Sequence, residues 1–283
     1  MWASVKVLVI HLLACILIVM LSGAVMAQEA DNSTGYHPFL TAKFHLGIGG
    51  FWPQKSLQIR VDGSDPAEEI DFEQDLGFDE SESTSSLNFR WRYSKNWSLW
   101  GQYWALDSEA GAILTEDIEW EDVIFKEGTF ARSGNDVSIT RVFFGRTVIR
   151  KPGHEFGAGA GIHWIKVDAF IEGQIISGTT TEFRRESVKS SLPLPNIGAW
   201  YLYSWSPKWM VDARLDWLSA SIGNYSGGLW HAQGGIHYQI SRTFGIGFAY
   251  SNFILDLDVD QGDWHGFVET RQNGPRLELT ASW

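Results

Sequence analysis

The residues best equipped for chemistry form a short acidic segment near the C-terminus. It contains Asp256, Asp258, Asp260, Asp263 and His265. The four carboxylates are candidate ligands for a hard cation, and an aspartate with a histidine could activate water for hydrolysis. The calcium-loop pattern fails in detail, because Gln261 stands at the position of the invariant glycine and Phe267 at that of the bidentate glutamate. Hydrolysis at this segment is therefore an alternative function only.

Other motifs of catalysis and cofactor binding are missing from the sequence. No Gly-x-Ser-x-Gly motif occurs, and no two histidines have a metal-ligand spacing on one strand or helix. We therefore expect no enzyme and no cofactor, apart from divalent cations at the acidic stretches. One stretch, residues 62–82, holds ten acidic residues and no basic one, and a second spans residues 116–122. Divalent cations could bridge them to lipopolysaccharide, and a plain solvated surface is the alternative.

The elements that position these residues are β-strands, and the C-terminal segment shows this best. Side chains of a strand alternate between two faces. One face holds Leu277, Leu279, Ala281 and Trp283, and the other holds Arg276, Glu278, Thr280 and Ser282. One face is thus apolar and the other polar, as in a strand of a membrane barrel or a half-buried strand of a soluble sandwich. Similar alternation recurs along the chain, for example over residues 209–217 and 155–164.

The N-terminus has the layout of a secretory signal peptide. Lys6 precedes a long apolar run over residues 7–21, and small residues lead to Ala27, which polar residues follow. We predict cleavage after Ala27, a periplasmic segment over residues 28–38 and one domain over residues 39–283. An uncleaved membrane anchor is the alternative, because the apolar run approaches the length of a membrane-spanning helix.

Composition limits the partners and the means of stabilisation. The single cysteine, Cys15, lies in the predicted signal peptide, so the mature chain would have no disulfide and no thiolate metal site. The net charge of -12 argues against nucleic acid as a partner. Aromatic residues make up 14% of the chain, which suits the aromatic girdles of a membrane barrel.

Short and long connections alternate between the predicted strands. Short turns are predicted at residues 94–96, 150–153, 205–208 and 241–242. Long loops are predicted near residues 62–83, 107–135, 173–189, 219–227 and 256–273. Four turns and two free ends at one side give ten strands, with eight or twelve as alternatives, and this asymmetry is typical of outer-membrane barrels with short periplasmic turns and long extracellular loops. A soluble β-sandwich or lipocalin-like carrier is the alternative fold.

In topology and in its C-terminal strand, the mature chain resembles the small bacterial outer-membrane β-barrel proteins of the OmpA, OmpX and OmpW kind. Residues 70–80 are also similar to a stretch found in an uncharacterised group of proteobacterial outer-membrane barrels. The resemblance implies an all-β, antiparallel up-and-down barrel in the bacterial outer membrane, reached by Sec-type export. It also implies lipid and lipopolysaccharide around a monomer, and recognition of Leu277, Leu279, Ala281 and Trp283 by the barrel-assembly machinery. It implies no common activity.

The polar strand faces would then line the lumen. The predicted lumenal network comprises Lys43, His45, Arg90, Arg92, Arg141, Glu155, His163, Asp212, Arg214, Asp216, His237, Arg276 and Glu278. Side chains fill a narrow barrel, and buried charges must be paired. We therefore expect a salt-bridged plug, with Lys43 pairing with Glu278 where the barrel closes. The expected role is structural or surface interaction through the acidic loops, and a narrow channel for small solutes or ions is the alternative.

Overall fold

The computed structural model describes residues 35–177, 180–222, 225–261 and 264–283. The predicted signal peptide, most of the segment predicted over residues 28–38, and Asp263 lie outside the described residues. A single turn of 3-10 helix, Pro38–Leu40, precedes the first strand. Among the described residues, no helix is long and apolar enough to cross a membrane.

Fourteen strands make up the described chain. They are β1 (Phe44–Phe51), β2 (Gln54–Val61), β3 (Ile70–Asp71), β4 (Thr84–Trp91), β5 (Trp97–Ile113), β6 (Ile118–Trp120), β7 (Val123–Phe125), β8 (Phe130–Lys151), β9 (His154–Ser177), β10 (Thr180–Ser204), β11 (Trp209–Ile222), β12 (Tyr225–Gln239), β13 (Phe244–Gln261) and β14 (Trp264–Ser282). All pairings between these strands are antiparallel.

The sheet closes into a ring of ten strands. Strand β14 pairs with β1 from Ser282 to Arg276 and then with β2 from Asn273 to Gly266. Strands β1 and β2 are therefore two halves of one barrel strand, interrupted at Trp52 and Pro53, where proline has no N–H to give to a ladder. With β4, β5 and β8 to β14 they complete the ring. This confirms the predicted up-and-down barrel of ten strands and excludes a sandwich.

One end of the barrel carries the predicted short turns, and we call it the turn end. The four connections there, residues 92–96, 152–153, 205–208 and 240–243, coincide with the four predicted turns. The opposite, loop end differs from prediction. The β9–β10, β11–β12 and β13–β14 pairs stay in register up to Ser177, Ile222 and Gln261, so three of the five predicted loops are the upper parts of β-hairpins.

These hairpins were predicted as loops because the two strand faces exchange their chemical character partway up the barrel. On β9, the outer residues Ile162 and Trp164 are followed by Lys166 and Asp168 on the same face. The inner face changes in the opposite sense, from buried His163 to an apolar series. This series comprises Ile165, Val167, Ala169 and Ile171, all at most 1% exposed. Alternation therefore continues, but above this level the apolar side chains point inward.

An apolar core fills the loop end. Two connections fold over it: residues 62–83, which contain β3, and residues 114–129, which contain the β6–β7 hairpin. We call these two segments the cap. The cap residues Ile70, Phe72, Leu76, Phe78, Leu114, Ile118, Trp120 and Phe125 are all buried in the core. The acidic stretches of the sequence are thus the outer surface of a folded cap whose apolar side chains close the barrel.

Candidate functional site

The lumen below the apolar core is polar, and its lowest layer is built around one carboxylate. Glu155 is 1% exposed and binds three arginines. Its oxygens lie 2.5 Å from Arg90 Nη2, 2.9 Å from Arg92 Nη1 and 3.0 Å from Arg150 Nη2. Trp200 Nε1 donates a further hydrogen bond to Glu155, at 3.2 Å. Four β-strands are therefore joined across the lumen near the turn end.

The segment before β1 closes the turn end from below. The Phe39 ring is 6% exposed and lies 4.1 Å from the His45 ring and 5.7 Å from the His237 ring, measured between centroids. Its carbonyl oxygen accepts a hydrogen bond of 3.1 Å from Arg90 Nη1. The His37 N–H donates to Ser204 Oγ at 2.8 Å. This segment is thus part of the lumenal packing.

A second layer contains Asp212 and the closing strands. His237 Nε2 lies 2.7 Å from an Asp212 oxygen, and His45 Nδ1 lies 2.9 Å from Ser282 Oγ. A small cavity of about 40 Å³ lies beside this layer. A buried water needs on the order of 10–15 Å³, so the cavity has room for a few waters but not for a larger solute.

The central layer is a bidentate ion pair. Arg141 Nε and Nη2 donate to the two oxygens of Asp216 at 2.6 and 2.8 Å. Both side chains are at most 1% exposed. Arg214 Nε lies 3.5 Å from Asp216, so two guanidinium groups share one carboxylate. The paired geometry is the one that makes a buried arginine tolerable.

Two histidines form a hydrogen-bonded chain beside this pair. His163 Nδ1 lies 3.1 Å from Asn196 Oδ1, and His163 Nε2 lies 3.1 Å from His231 Nδ1. An amide oxygen only accepts, so His163 Nδ1 donates to Asn196; a guanidinium N–H only donates, so His231 Nε2 accepts from Arg214 and the proton on His231 Nδ1 is donated to His163 Nε2. His231 Nε2 is then an acceptor, which matches Arg214 Nη2 at 3.3 Å and Ser251 Oγ at 3.2 Å. Both rings are therefore neutral.

His163, His231 and Asp216 are also the one group of described residues whose ligand atoms lie close enough to bind a metal, within 4.8 Å of one another. Two observations argue against a divalent cation there. Both Asp216 oxygens already bind Arg141, and Arg214 places a second positive charge beside the same carboxylate. The hydrogen-bonded chain fits these residues better than a metal does.

The predicted Lys43–Glu278 ion pair is not formed. Glu278 pairs with Gly49 in the β1–β14 register, and Lys43 lies six residues earlier, about 20 Å along the strand. Lys43 is exposed at the turn end with its Nζ 5.5 Å from the Phe44 ring, whereas Asn88 Nδ2 donates to the Glu278 carboxylate. The prediction was wrong because the alternation of side chains along a strand shows which face a residue lies on but not its height in the barrel.

Arg276 is the most isolated lumenal charge. Its guanidinium carbon lies 4.0 Å from the Phe51 ring centroid and 4.6 Å from that of Trp104. None of its three guanidinium nitrogens makes a hydrogen bond within the described part of the chain. Glu278, two residues away on the same face, is the acid that acts on it electrostatically. Arg276 thus forms the boundary between the polar lumen and the apolar core.

The remaining predicted network members lie in the lumen, together with residues that the prediction omitted. Twelve of the thirteen predicted residues point inward, the exception being Lys43. His231, Gln102, Trp104 and Asn88 also point inward but were not predicted as network members. His231 shares the parity of His237 on β12, so the signal was present. The faces of β5 could not be assigned from sequence because aromatic residues occupy both; Trp104 points inward and Tyr103 outward.

The acidic segment near the C-terminus is a strand rather than a loop. Asp256, Asp258 and Asp260 alternate along the outer face of β13, where all three are exposed. His265 Nδ1 lies 2.5 Å from Asp260 Oδ1, and the two side chains are 60% and 80% exposed. Arg60 reaches Asp258 at 3.9 Å. The carboxylates therefore stand in a row on an open surface.

The cap contains one carboxyl in an unusual environment. Glu73 Oε2 accepts the Leu57 N–H at 2.9 Å, and Glu73 Oε1 is buried without a hydrogen-bond partner among the described residues. Burial raises the pKa of Glu73 to about 6, and the Leu57 N–H opposes this shift. Burial also raises the pKa of Asp75 in the same cap, and the negative charge of Glu116 raises it further. The cap is thus coupled to proton binding.

The predicted assembly strand lies at the ring closure. Leu277 and Leu279 are 50% and 72% exposed on the outer face, and Trp283 stacks on Phe44 at 5.7 Å. Ala281 shares their parity but is only 7% exposed.

Comparison with known proteins gives a fold and no family. No family model matches the chain, and no curated protein matches it. Among solved structures, the outer-membrane protease OmpT of Escherichia coli matches with a TM-score of 0.55 at 10% identity, over 91% of this chain and 100% of OmpT. The toluene transporter TodX of P. putida matches with a TM-score of 0.34 at 8% identity, over 87% of this chain and 91% of TodX. The attachment invasion locus protein Ail of Yersinia pestis matches with a TM-score of 0.32 at 10% identity, over 83% of this chain and 99% of Ail. The fold is therefore that of outer-membrane β-barrels, and the narrower resemblance to OmpA, OmpX and OmpW stays a prediction.

Proposed function

We propose that this chain is a bacterial outer-membrane β-barrel with a closed lumen, which acts structurally or through surface interaction at its acidic loop end rather than by transport. The observation that carries the proposal is the filling of the lumen over its whole height. The Phe39 segment closes the turn end, the Arg141–Asp216 pair spans the centre, and the cap closes the loop end.

The outer face supports a membrane location. On β11, Trp209 and Trp217 bracket Val211, Ala213 and Leu215 on the outer face. Eight residues correspond to about 26 Å of strand and, at a tilt of about 40°, to about 20 Å of height, close to the apolar band of about 25 Å in barrels of this kind. Trp230 pairs with Trp217 between β12 and β11, so aromatic residues border the band at its upper edge.

Conductance separates the closed barrel from the narrow channel. The purified protein, folded in detergent and verified by heat-modifiable gel mobility, is added to planar lipid bilayers. We expect no stepwise conductance from the native protein. The double variant Arg141→Ala with Asp216→Ala should also show no steps, because the Phe39 segment and the cap still close the two ends of the lumen. Regular single-channel steps from the native protein would overturn the closed lumen.

The acidic loop end supports a surface role. Arg60 holds Asp62 at 3.0 Å and Glu69 at 3.6 Å, so part of the acidic charge is used to fix the cap. The row on β13 remains exposed and would face lipopolysaccharide, with divalent cations as the bridge. Binding to lipopolysaccharide vesicles is expected to weaken when Mg²⁺ is chelated. The triple variant of Asp256, Asp258 and Asp260 to Asn should lose this Mg²⁺ dependence, whereas an unchanged dependence would refute the bridge.

Catalysis is not part of the proposal, although OmpT is a protease by name. The Asp260–His265 contact is the one feature that favours a hydrolase, and both side chains are largely exposed to water. Catalytic groups gain strength in sites that exclude water, which this open rim does not provide. Hydrolysis of a peptide or of lipid A that is lost in His265→Ala would establish the enzyme instead.

The location implies the remaining partners. We propose Sec-type export, a monomer surrounded by outer-membrane lipid, and recognition of β14 by the barrel-assembly machinery through Leu277, Leu279, Ala281 and Trp283. Substitution of Leu279 by Asp should reduce the amount of folded barrel in the outer membrane. Normal assembly of that variant would count against the role of this strand.

A further inference from the structure

The barrel wall is open between β10 and β11 above the apolar band. These strands pair over eight positions, from Ser204↔Met210 to Ile197↔Trp217. Beyond Ile197, β10 continues to Thr180 but pairs there with β9 alone, and β11 continues to Ile222 paired with β12 alone. We call the unpaired part of this boundary the seam.

Two prolines explain where the ladder stops. Pro195 and Pro193 lie in β10 two and four residues beyond Ile197, the last residue that pairs with β11. Residues two apart on a strand direct their backbone groups to the same neighbour, so both prolines remove donors from one edge. The β9 ladder runs without interruption past both positions, so the edge that lacks donors is the one facing β11.

Two hollows lie near the seam on the outside of the barrel; the first is apolar, and the second is lined by polar as well as apolar residues, Asp256 among them. One, of about 300 Å³, is lined by Ala160, Pro195, Ile197 and Trp217, among others. The second, of about 570 Å³, lies on the other side of β11 and shares Trp217 and its two successors with the first. The first hollow lies between β9, β10 and β11 at the lower end of the seam, and we call it the groove.

The height of the groove and the charge above it indicate its occupant. Trp217 pairs with Ile197 at the lower end of the seam, and Trp164 pairs with Pro193 within the seam. Both tryptophans are about half exposed, and the outer face of β9 changes from apolar to charged just beyond Trp164. Under the proposed membrane location, this is the level where outer-leaflet acyl chains meet their headgroups. Lys166, exposed directly above Trp164 on β9, supplies a positive charge suited to a headgroup phosphate.

A protein strand is a poor occupant of the seam. Strand addition needs a receiving edge with backbone donors and acceptors; the β10 edge lacks two successive donors, and the free edge of β11 extends only five residues beyond Trp217, to Ile222. An acyl chain needs no such edge. We therefore propose that the groove at the seam docks an acyl chain of a phosphorylated glycolipid of the outer leaflet, with the phosphate near Lys166. This inference rests on the proposed membrane location.

A matched pair of variants tests the groove. Ala160→Trp fills the 300 Å³ hollow, whereas Ala158→Trp adds the same side chain two residues lower on the same outer face, outside the residues that line it. The full-length folded protein is incubated separately with lipid A and with phosphatidylethanolamine, excess lipid is removed, and the lipid that stays bound is counted by native mass spectrometry. The native protein and Ala158→Trp should retain lipid A. Ala160→Trp should retain at least about tenfold less, which corresponds to losing contact with about two methylene groups.

The possible outcomes separate the inference from the proposal beneath it. Insertion into vesicles and heat-modifiable mobility are measured first, and failure there refutes the membrane location. Given insertion, equal lipid A retention by the two variants, or none by the native protein, overturns the groove. If the native protein retains as much phosphatidylethanolamine as lipid A, the assignment of the occupant to a glycolipid is overturned. A dimer without bound lipid shows that the groove is instead a contact between copies of the chain.

A second variant tests the seam itself. Pro193→Val with Pro195→Val restores two backbone donors on the β10 edge, which favours extension of the ladder to β11. We expect the amides of residues 193, 195 and 219 to exchange more slowly than those in the upper parts of the β-hairpins. We also expect this variant to retain less lipid A than the native protein. Restored donors that exchange freely and unchanged lipid retention would show that the prolines do not hold the seam open.

Discussion

Glu73 provides the sharpest test of the folded cap. Its carboxylate accepts the Leu57 N–H at 2.9 Å, while its second oxygen is buried without a partner among the described residues. The pKa of this group is raised from 4.5 to about 6, with burial as the largest cause. A raised pKa means that folding favours the protonated form. The stabilisation by the proton is complete below pH 4.5 and is lost as the pH rises through about 6.

The magnitude follows from the shift. A difference of about 1.5 pKa units corresponds to ~2 kcal/mol, and solvent screening of this partly exposed carboxyl reduces it to ~1 kcal/mol. Glu73→Gln removes the charge and keeps an oxygen acceptor for Leu57. The cap should therefore be docked more firmly in the variant by ~1 kcal/mol at pH 7.5, with little difference at pH 4. Asp75 contributes its own pH dependence in both proteins, because burial also raises its pKa.

Hydrogen exchange reports this docking directly. The Leu57 amide is bound to Glu73, and the Phe72 amide donates to the Leu57 carbonyl at 3.0 Å. After correction for intrinsic pH dependence, both amides should exchange about fivefold more slowly in Glu73→Gln at pH 7.5, as ~1 kcal/mol requires. Glu80→Gln makes the same change at an exposed position of the cap and is the control. Faster exchange in Glu73→Gln than in this control would show that the charged hydrogen bond outweighs burial, and would refute the reasoning.

Three further predictions concern the barrel itself. Asp216→Asn leaves the buried Arg141 without a counter-charge at 2.6 Å and should lower the free energy of unfolding by ~3–5 kcal/mol in urea titrations; a loss below ~1 kcal/mol would mean that solvent compensates Arg141. Gly49→Ala places a methyl group against the Leu277 carbonyl oxygen where β1 meets β14, so the heat-modifiable folded fraction should fall, whereas Gly101→Ala, whose nearest neighbour would be 3.9 Å away, should fold normally. Equal folding of the two glycine variants would show that the closing strands separate without penalty. Lys43→Ala should change stability by no more than ~0.5 kcal/mol, as expected of an exposed residue, and a larger loss would restore the ion pair predicted with β14.

The sequence was sufficient to predict the lower part of the barrel, where apolar side chains mostly point outward and polar side chains mostly point inward. Strand periodicity and turn residues are local signals, so ten strands, four turns and the inward parity of residues such as Arg141 and Asp216 could be predicted. Register is not local. The position of Lys43 relative to Glu278 depends on how β1 slides along β14, and alternation is the same at every offset of two residues.

The upper barrel was harder because its rule is reversed. In the predicted membrane band, lipid requires an apolar outer face, so the polar residues must turn inward and be paired, as Arg141 and Asp216 are. Above the band, water solvates the outer face and the lumen is free to become apolar. The change from Trp164 to Lys166 on β9 marks that transition in the sequence. Charged residues after an apolar strand face are equally typical of a loop, so the sequence alone does not show that the strand continues.

This reversal also gives the acidic cap its physical role. A polar lumen contributes little net stability, because each buried charge loses hydration that its partner only partly restores. An apolar core above the proposed membrane band contributes through the hydrophobic effect, but it needs a cover that is soluble on its outer side. Phe72, Leu76 and Phe78 supply the inner side of that cover, and the alternating carboxylates supply the outer side. The acidic stretch therefore needs no ligand to explain its composition, and Glu73, which faces the core with an ionisable group, is the position where the cover can be loosened by a change in pH.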